Sequence, residues 1–283
     1  MRGGLKISKP SNNELETLEI ELLLEGIYRY YGYDFRNYTA PYLQRRVKHR
    51  LQVENLPSIS RLQELVLHDP RMMRKLFGDF TINVTEMFRD PDFFLSLRIN
   101  VIPTLKKLTR IRIWQAGCST GEESYSLAIL LREEGLASKV KIYATDINEA
   151  TLEEAKKGSF PIASMQKCTR NYIEAGGKNA FSKYYMVDGE HVIFDPTLAE
   201  SIIFAQHDLV NDQSFNEFDL ILCRNVMIYF NKQLQKQVHR LLLESLKTSG
   251  FLGLGNKEAL ILSAQIPCYE PVDLKAKIFR KII

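Results

Sequence analysis

Several features that would define a protein class are missing from this sequence of 283 residues. It contains no apolar run of about 18 residues, so no segment is expected to cross a membrane as a helix. Its first residues have no apolar core, which predicts a cytoplasmic protein without a signal peptide. The four cysteines are far apart and form no CxxC pair, so we expect reduced thiols, with neither a disulfide framework nor a metal site.

The chain also has little excess charge. Its 38 Lys and Arg residues against 34 Asp and Glu residues give a net charge of +4, so any basic surface must be local. The apolar content of 45% is that of a globular protein with a substantial core. The length allows one large domain or two ordinary ones.

Residues 1–80 show helical patterns and no strand pattern, which predicts a small all-helical domain. The helix after Pro41 is informative, because four basic side chains fill the space between its apolar positions. These are Arg45, Arg46, Lys48 and Arg50. They form either a solvated helix face or a docking surface for an acidic partner. Nucleic acid is disfavoured, because no aromatic side chains suited to stacking on bases are interleaved with the arginines.

Residues 111–131 read as a buried strand, a glycine turn and a buried helix, the opening unit of a doubly wound α/β sheet. The turn has the spacing GxxxG between Gly117 and Gly121, and Glu122 follows it. A dinucleotide site needs GxGxxG and no acid where the pyrophosphate would rest, so an NAD enzyme is disfavoured. An acid at the start of the helix instead suits a nucleoside with cationic groups, and S-adenosylmethionine fits that description.

Further predicted strands also end in polar residues. Asp146 follows the next strand, where it can accept hydrogen bonds from ribose hydroxyls, and Asp208 and Arg224-Asn225 follow two later strands. Because ligands bind at the carboxyl ends of such strands, these residues are expected along one crevice. A segment at about 159–200 is too long for an ordinary loop. Its Asp188-Gly189 pair predicts a hairpin within a small antiparallel β-subdomain.

Three stretches resemble the motifs of the CheR-type chemoreceptor glutamate methyltransferases, in the same order and spacing. They are TINVTEMFRDPDFF, WQAGCSTGEESYSLA with ATDIN, and FDLILCRNVMIYFNK. The resemblance implies a Rossmann-like doubly wound methyltransferase domain at 109–283 with the β-subdomain inserted. A linker at 81–108 would contribute to the cofactor site, and the helical domain at 1–80 would dock on the receptor. One departure is Gly255-Asn256-Lys257-Glu258, where the family commonly has Gly-His-Ser-Glu, which leaves the role of that loop in doubt.

The resemblance also implies S-adenosylmethionine as the methyl donor, S-adenosylhomocysteine as the product, and a role for each site residue. Asn83, Thr85 and Arg89 would contact the cofactor from the linker, and Gly117 would lie in its binding turn. Glu122 would bind the methionine end, Asp146 the ribose, and Asp208-Leu209 the adenine. Arg224, Asn225 and Tyr229 would line the reacting end.

Catalysis would then consist mainly of positioning, with Arg89 orienting the acceptor carboxylate and Tyr229 near the sulfonium. Two alternatives remain: Arg89 could pair with Asp90 or Asp92 inside the linker, and Tyr229 could be a core aromatic beside Phe230.

The expected partner is the cytoplasmic helical bundle of a chemoreceptor, bound by a monomer. A receptor C-terminal peptide on the β-subdomain is a further expectation. The same chemistry on a non-chemotaxis signalling protein stays open, as does a cofactor-binding module without receptor substrate.

Overall fold

The computed structural model describes residues 12–81, 84–260 and 266–283, excepting the side chains of residues 12 and 266. It divides into two compact units, 1–81 and 82–283. Asn83 lies outside the described residues. None of the helices in the described part of the chain has the length and apolarity needed to cross a membrane.

The first unit contains four described helices: α1 (Asn12–Tyr31), α2 (Ala40–Val53), α3 (Ile59–His68) and α4 (Pro70–Phe80). Proline starts α4, and the side chains of Ser58 and Asp69 cap α3 and α4 by accepting backbone N–H bonds. Their buried faces meet around Leu23, Val47 and Leu76. The all-helical prediction for this region is confirmed.

The second unit alternates strands and helices, as the sequence predicts. Its strands are β1 (Ile111–Ala116), β2 (Val140–Asp146), β3 (Ser159–Pro161), β4 (Tyr185–Asp188), β5 (His191–Phe194), β6 (Ile202–Gln206), β7 (Phe218–Cys223), β8 (Leu246–Leu254), β9 (Tyr269–Asp273) and β10 (Ile278–Lys281). Its α-helices are α5 (Pro91–Ser96), α6 (Ile102–Leu105), α7 (Glu122–Glu133), α8 (Glu149–Lys157), α9 (Met165–Glu174), α10 (Pro196–Ala199) and α11 (Lys232–Ser245).

The main sheet has seven strands in the order β6-β2-β1-β7-β8-β10-β9. The first five of these pair in parallel, and β10 pairs antiparallel with both β8 and β9. The parallel arrangement brings the carboxyl ends of β6, β2, β1 and β7 to one edge, as predicted. The sheet core is built from fully buried residues such as Ile113, Ile142 and Leu222.

The insert at 159–200 forms a separate antiparallel sheet in the order β3-β5-β4, together with α9. This confirms the predicted β-subdomain and its hairpin at Asp188-Gly189. Two adjacent acids, at the end of α7 and just after it, anchor the insert to the rest of the second unit. Glu133 accepts hydrogen bonds from the hydroxyls of Tyr172 and Tyr184, and Glu134 pairs with Lys178.

Two boundaries differ from prediction. The helical pattern after Asn231 predicts a helix to about Lys247 and a strand starting at Phe251, but α11 ends at Ser245 and β8 begins at Leu246. Leu246 is buried and pairs with Phe218 across a register shift, so tertiary pairing overrides the local helical pattern. Strand β9 was not predicted, because Pro271 interrupts its apolar pattern and it lies at the sheet edge.

Candidate active site

The turn after β1 requires glycine at both ends. Gly117 has φ +78° and Gly121 has φ +96°, conformations that side chains rarely adopt. A Cβ on Gly117 would also collide with Val226 Cγ2, and one on Gly121 would lie 2.9 Å from Ala155 Cβ. The turn is therefore packed between α8 and the loop after β7, with its backbone close to the crevice.

Asp146 lies at the carboxyl end of β2, next to this turn. Its Oδ2 accepts a hydrogen bond from Ser119 N at 2.8 Å and its Oδ1 one from Asn148 N at 3.0 Å. Burial raises the pKa of this carboxyl, although the backbone hydrogen bonds oppose the effect. A carboxylate has about four acceptor positions, so the group can still accept a hydroxyl donor beside its backbone hydrogen bonds.

Glu122 begins α7 and accepts a hydrogen bond from Thr120 Oγ1 at 2.6 Å. Burial raises the pKa of its carboxyl. Among the residues that the structure describes, no basic side chain forms an ion pair with it. A half-buried carboxylate without a cation is costly, so the site is suited to a ligand that brings positive charge.

Arg224 is almost fully enclosed, with 1% of its side chain exposed. Its guanidinium pairs with Glu123 on α7 and, at 2.8 Å, with Asp90 Oδ2 in the linker. It also donates to the Arg89 carbonyl at 3.0 Å and lies 4.0 Å from the centre of the Phe93 ring. These contacts join the linker, α7 and β7.

Arg89 itself is half-buried, and its guanidinium donates to the carbonyl of Val84 at 3.0 Å. The alternative in which it pairs with a neighbouring acid is wrong, because Asp90 pairs with Arg224 and Asp92 with Lys275. Within the described segments of the chain, no carboxylate lies within ion-pair distance of Arg89. The half-buried Thr85 lies in the same stretch of linker.

Asp208 uses its carboxylate locally. It accepts hydrogen bonds from Val210 N at 2.8 Å and from Asn211 Nδ2 at 2.7 Å, which fixes the turn after β6. Burial raises the pKa of this carboxyl. The neighbouring Leu209 is buried and offers an apolar surface at the strand end.

Sequence reasoning missed the role of Glu258. This buried acid accepts hydrogen bonds from four backbone N–H groups, three of them in the loop that carries Asn225. Its neighbours Asn256 and Lys257, where the motif departs from the family pattern, are exposed. The retained acid was the available signal, since a carboxylate beside a glycine at a strand end can bind loop N–H groups. The half-buried Tyr229 lies further along the same loop.

The basic side chains of α2, in the first unit, differ in environment. Arg45 and Lys48 are exposed and line a shallow depression of about 520 Å³. Arg50, in contrast, is largely enclosed and pairs with Asp79 at 2.7 Å and Glu54 at 3.0 Å. Arg46 is half-buried, with its guanidinium 5.6 Å from the Tyr42 ring.

Comparison with known proteins agrees with this geometry. Residues 83–270 match the family model "CheR methyltransferase, SAM binding domain", and residues 18–81 match "CheR methyltransferase, all-alpha domain". A Pseudomonas putida protein named "Putative methyltransferase Cher3" is 48% identical over 93% of this chain and 97% of its own. A "Chemotaxis protein methyltransferase" of Listeria monocytogenes is 30% identical over 81% of this chain and 86% of its own.

The site also fits the cofactor that the family model specifies. The glycine turn lies at the carboxyl end of β1, next to the half-buried Asp146. Glu122, which has no basic partner among the described residues, suits a ligand with a positive charge. The chain therefore belongs to the CheR methyltransferase family and is an S-adenosylmethionine-dependent methyltransferase.

Proposed function

We propose that this protein methylates glutamate side chains on chemoreceptors, giving glutamate methyl esters. The single observation that supports this acceptor most strongly is the Arg89 guanidinium. The Arg89 backbone accepts a hydrogen bond from Arg224, at the start of the loop after β7, and the acids next to Arg89 are paired elsewhere. A guanidinium without a carboxylate partner suits an acceptor that is itself a carboxylate.

The acceptor needs no general base. A glutamate side chain has a pKa of about 4.3 and is ionised at neutral pH. S-adenosylmethionine supplies a methyl group on a positively charged sulfur, which becomes neutral when the methyl group leaves. The protein contributes positioning: Arg89 orients the carboxylate, and Tyr229 lies at the same end of the site.

The remaining site residues have assigned positions in this proposal. Glu122 binds the methionine end, Asp146 the ribose, and the Asp208-Leu209 turn the adenine, with Asn83, Thr85 and Asn225 as further contacts. Arg224 acts through its neighbours, since its guanidinium is enclosed by Glu123, Asp90 and Phe93. Arg45 and Lys48 of α2 bind the acidic face of a receptor helix bundle.

The relatives support a chemotaxis substrate in part. Proteins named "Chemotaxis protein methyltransferase" occur among them, at 30% identity in Listeria monocytogenes. The relative at 48% identity carries no substrate in its name. The same chemistry on another signalling protein is therefore the second candidate.

Transfer of labelled methyl groups separates the two candidates. Purified enzyme and labelled S-adenosylmethionine are incubated with receptor-containing membranes or with soluble extract of the same cells. Label on membrane receptors supports the proposal. Label confined to a soluble protein supports the second candidate and overturns the first.

A further inference from the structure

The loop after β7 is held by one side chain from a different strand end. Glu258 Oε1 accepts hydrogen bonds from Val226 N at 2.9 Å and Met227 N at 2.8 Å. Its Oε2 accepts from Asn225 N at 3.0 Å and from Gly255 N at 2.6 Å. The residue is 5% exposed, so these bonds are shielded from water. Hydrogen bonds to a charged acceptor in such surroundings are stronger than neutral ones.

The loop needs this acceptor because of its backbone conformation. Asn225 has φ +61°, in the left-handed region, and three successive N–H groups converge on one point. Such a concave row of N–H groups is a ready site for an anion. In this protein an internal carboxylate fills it, so the row serves the loop and not an external phosphate.

The two ends of the loop are also fixed to the fold. At the start, Val226 packs so closely on Gly117 that a Cβ there would collide with it. At the far end, Gln235 Nε2 donates to the carbonyls of Met227 and Phe230, at 2.9 and 2.8 Å. Asn225 directly precedes Val226, Tyr229 lies between Met227 and Phe230, and Glu258 holds the backbone N–H groups of residues 225–227.

We infer that Glu258 is a positioning residue for methyl transfer: its ionised carboxylate holds the loop so that Asn225 and Tyr229 face the reacting end. The inference rests on the proposed function for the roles of those two residues. Burial raises the pKa of this carboxyl, and the four backbone hydrogen bonds oppose the effect. Because all four partners are donors, the loop requires the charge of the acceptor and not only its volume. Glutamine has the same shape but would direct an NH₂ group at two of them.

The test compares Glu258→Gln with a matched control, Asp219→Asn. Asp219 is likewise buried and lies at the opposite end of β7, where it accepts from Arg112 N and Lys247 Nζ, both at 2.8 Å. Three quantities are measured on the full chain: kcat at saturating substrates, the Kd of S-adenosylhomocysteine, and hydrogen exchange of the peptide spanning residues 224–230. Glu258→Asp, which keeps the charge on a shorter side chain, serves as a second variant.

For Glu258→Gln we expect kcat to fall by about 10–100-fold, the range for losing hydrogen bonds to a charged group. Amide exchange in 224–230 should accelerate, the Kd of S-adenosylhomocysteine should rise, and Glu258→Asp should recover part of each loss. Asp219→Asn should lower the melting temperature with kcat and loop exchange unchanged. Wild-type kcat and loop exchange in Glu258→Gln would overturn the inference, as would an equal loss of kcat in Asp219→Asn.

The design separates this inference from the proposed function. If the wild-type protein methylated no glutamate, the proposed function would fail, while loop exchange and the Kd of S-adenosylhomocysteine would still report on Glu258. Unchanged exchange and Kd in Glu258→Gln would then reject the positioning role by themselves.

Discussion

At the scale of single residues, the acidic side chains Asp90 and Asp92 of the linker form ion pairs with distant basic residues. Arg224 compensates Asp90 and Glu123, and Lys275 compensates Asp92. In the described part of the chain this leaves Arg89 without an acid and Glu122 without a base. In the proposed function, the uncompensated arginine suits an anionic acceptor and the uncompensated glutamate suits a cationic donor.

Replacement of Arg89 tests whether its guanidinium binds the acceptor carboxylate. In Arg89→Ala we expect kcat for protein methylation, measured at saturating cofactor, to fall by about 10–100-fold, because charge-assisted hydrogen bonds to the acceptor are lost. Arg89→Lys keeps the charge but not the planar fork, so it should recover only part of the rate. A full rate in Arg89→Ala would remove Arg89 from the mechanism.

At the scale of elements, α2 combines two kinds of basic residue. Arg50 stabilises the helical unit through Asp79 and Glu54, whereas Arg45 and Lys48 face solvent. Exposed ion pairs contribute about 0–1 kcal/mol, so the pair between Lys48 and Glu16 adds little to stability. The docking surface is therefore expected at Arg45 and Lys48.

Charge reversal tests that surface. In Arg45→Glu/Lys48→Glu we expect weaker binding of a receptor fragment, most clearly at low salt, with unchanged affinity for S-adenosylhomocysteine. Arg71→Glu is the matched control, because Arg71 is 79% exposed on another helix of the same unit. Equal effects of the control and the double variant, or a loss of cofactor affinity, would contradict the assignment.

Ion pairs between the insert and the rest of the second unit include two carboxyl groups with lowered pKa values. Burial by itself would raise the pKa of Glu134, but hydrogen bonds from Lys178, Lys106 and Arg98 lower it from 4.5 to about 2. Hydrogen bonds from Thr197 and Arg132 similarly lower the pKa of Asp195 from 3.8 to about 2. A lowered folded-state pKa stabilises the fold above the unfolded-state pKa, and that stability is lost as pH falls through the folded value.

The free energy of unfolding should therefore decrease between about pH 4.5 and pH 2. In Glu134→Gln the decrease should be smaller, because one contributing carboxyl is absent. Urea unfolding across this pH range measures it. Glu153→Gln, which removes only an exposed pair with Lys156, should follow the wild-type curve. An identical slope in Glu134→Gln and wild type would show that this anchor does not set acid stability.

At the scale of the whole molecule, the order of elements could be predicted because long apolar periodic segments determine it. The parallel strands β1, β2, β6 and β7 and the hairpin of the insert follow from local pattern and turn chemistry. The start of β8 and the role of Glu258 could not be predicted, since each depends on a partner distant in sequence, and strand β9 was missed because Pro271 interrupts its apolar pattern. The pairing of Asp90 with Arg224 instead of Arg89 also could not be predicted, because Arg224 lies 134 residues away in the sequence.

Mass spectrometry tests most directly the proposal that this protein forms methyl esters on receptor glutamates. A purified receptor cytoplasmic fragment is incubated with enzyme and S-adenosylmethionine, digested, and mapped before and after mild alkali. We expect methyl groups on glutamate side chains that alkali removes, in amounts strongly reduced with Arg89→Ala enzyme. Methyl groups that resist alkali, or that lie on residues other than glutamate, would contradict the account.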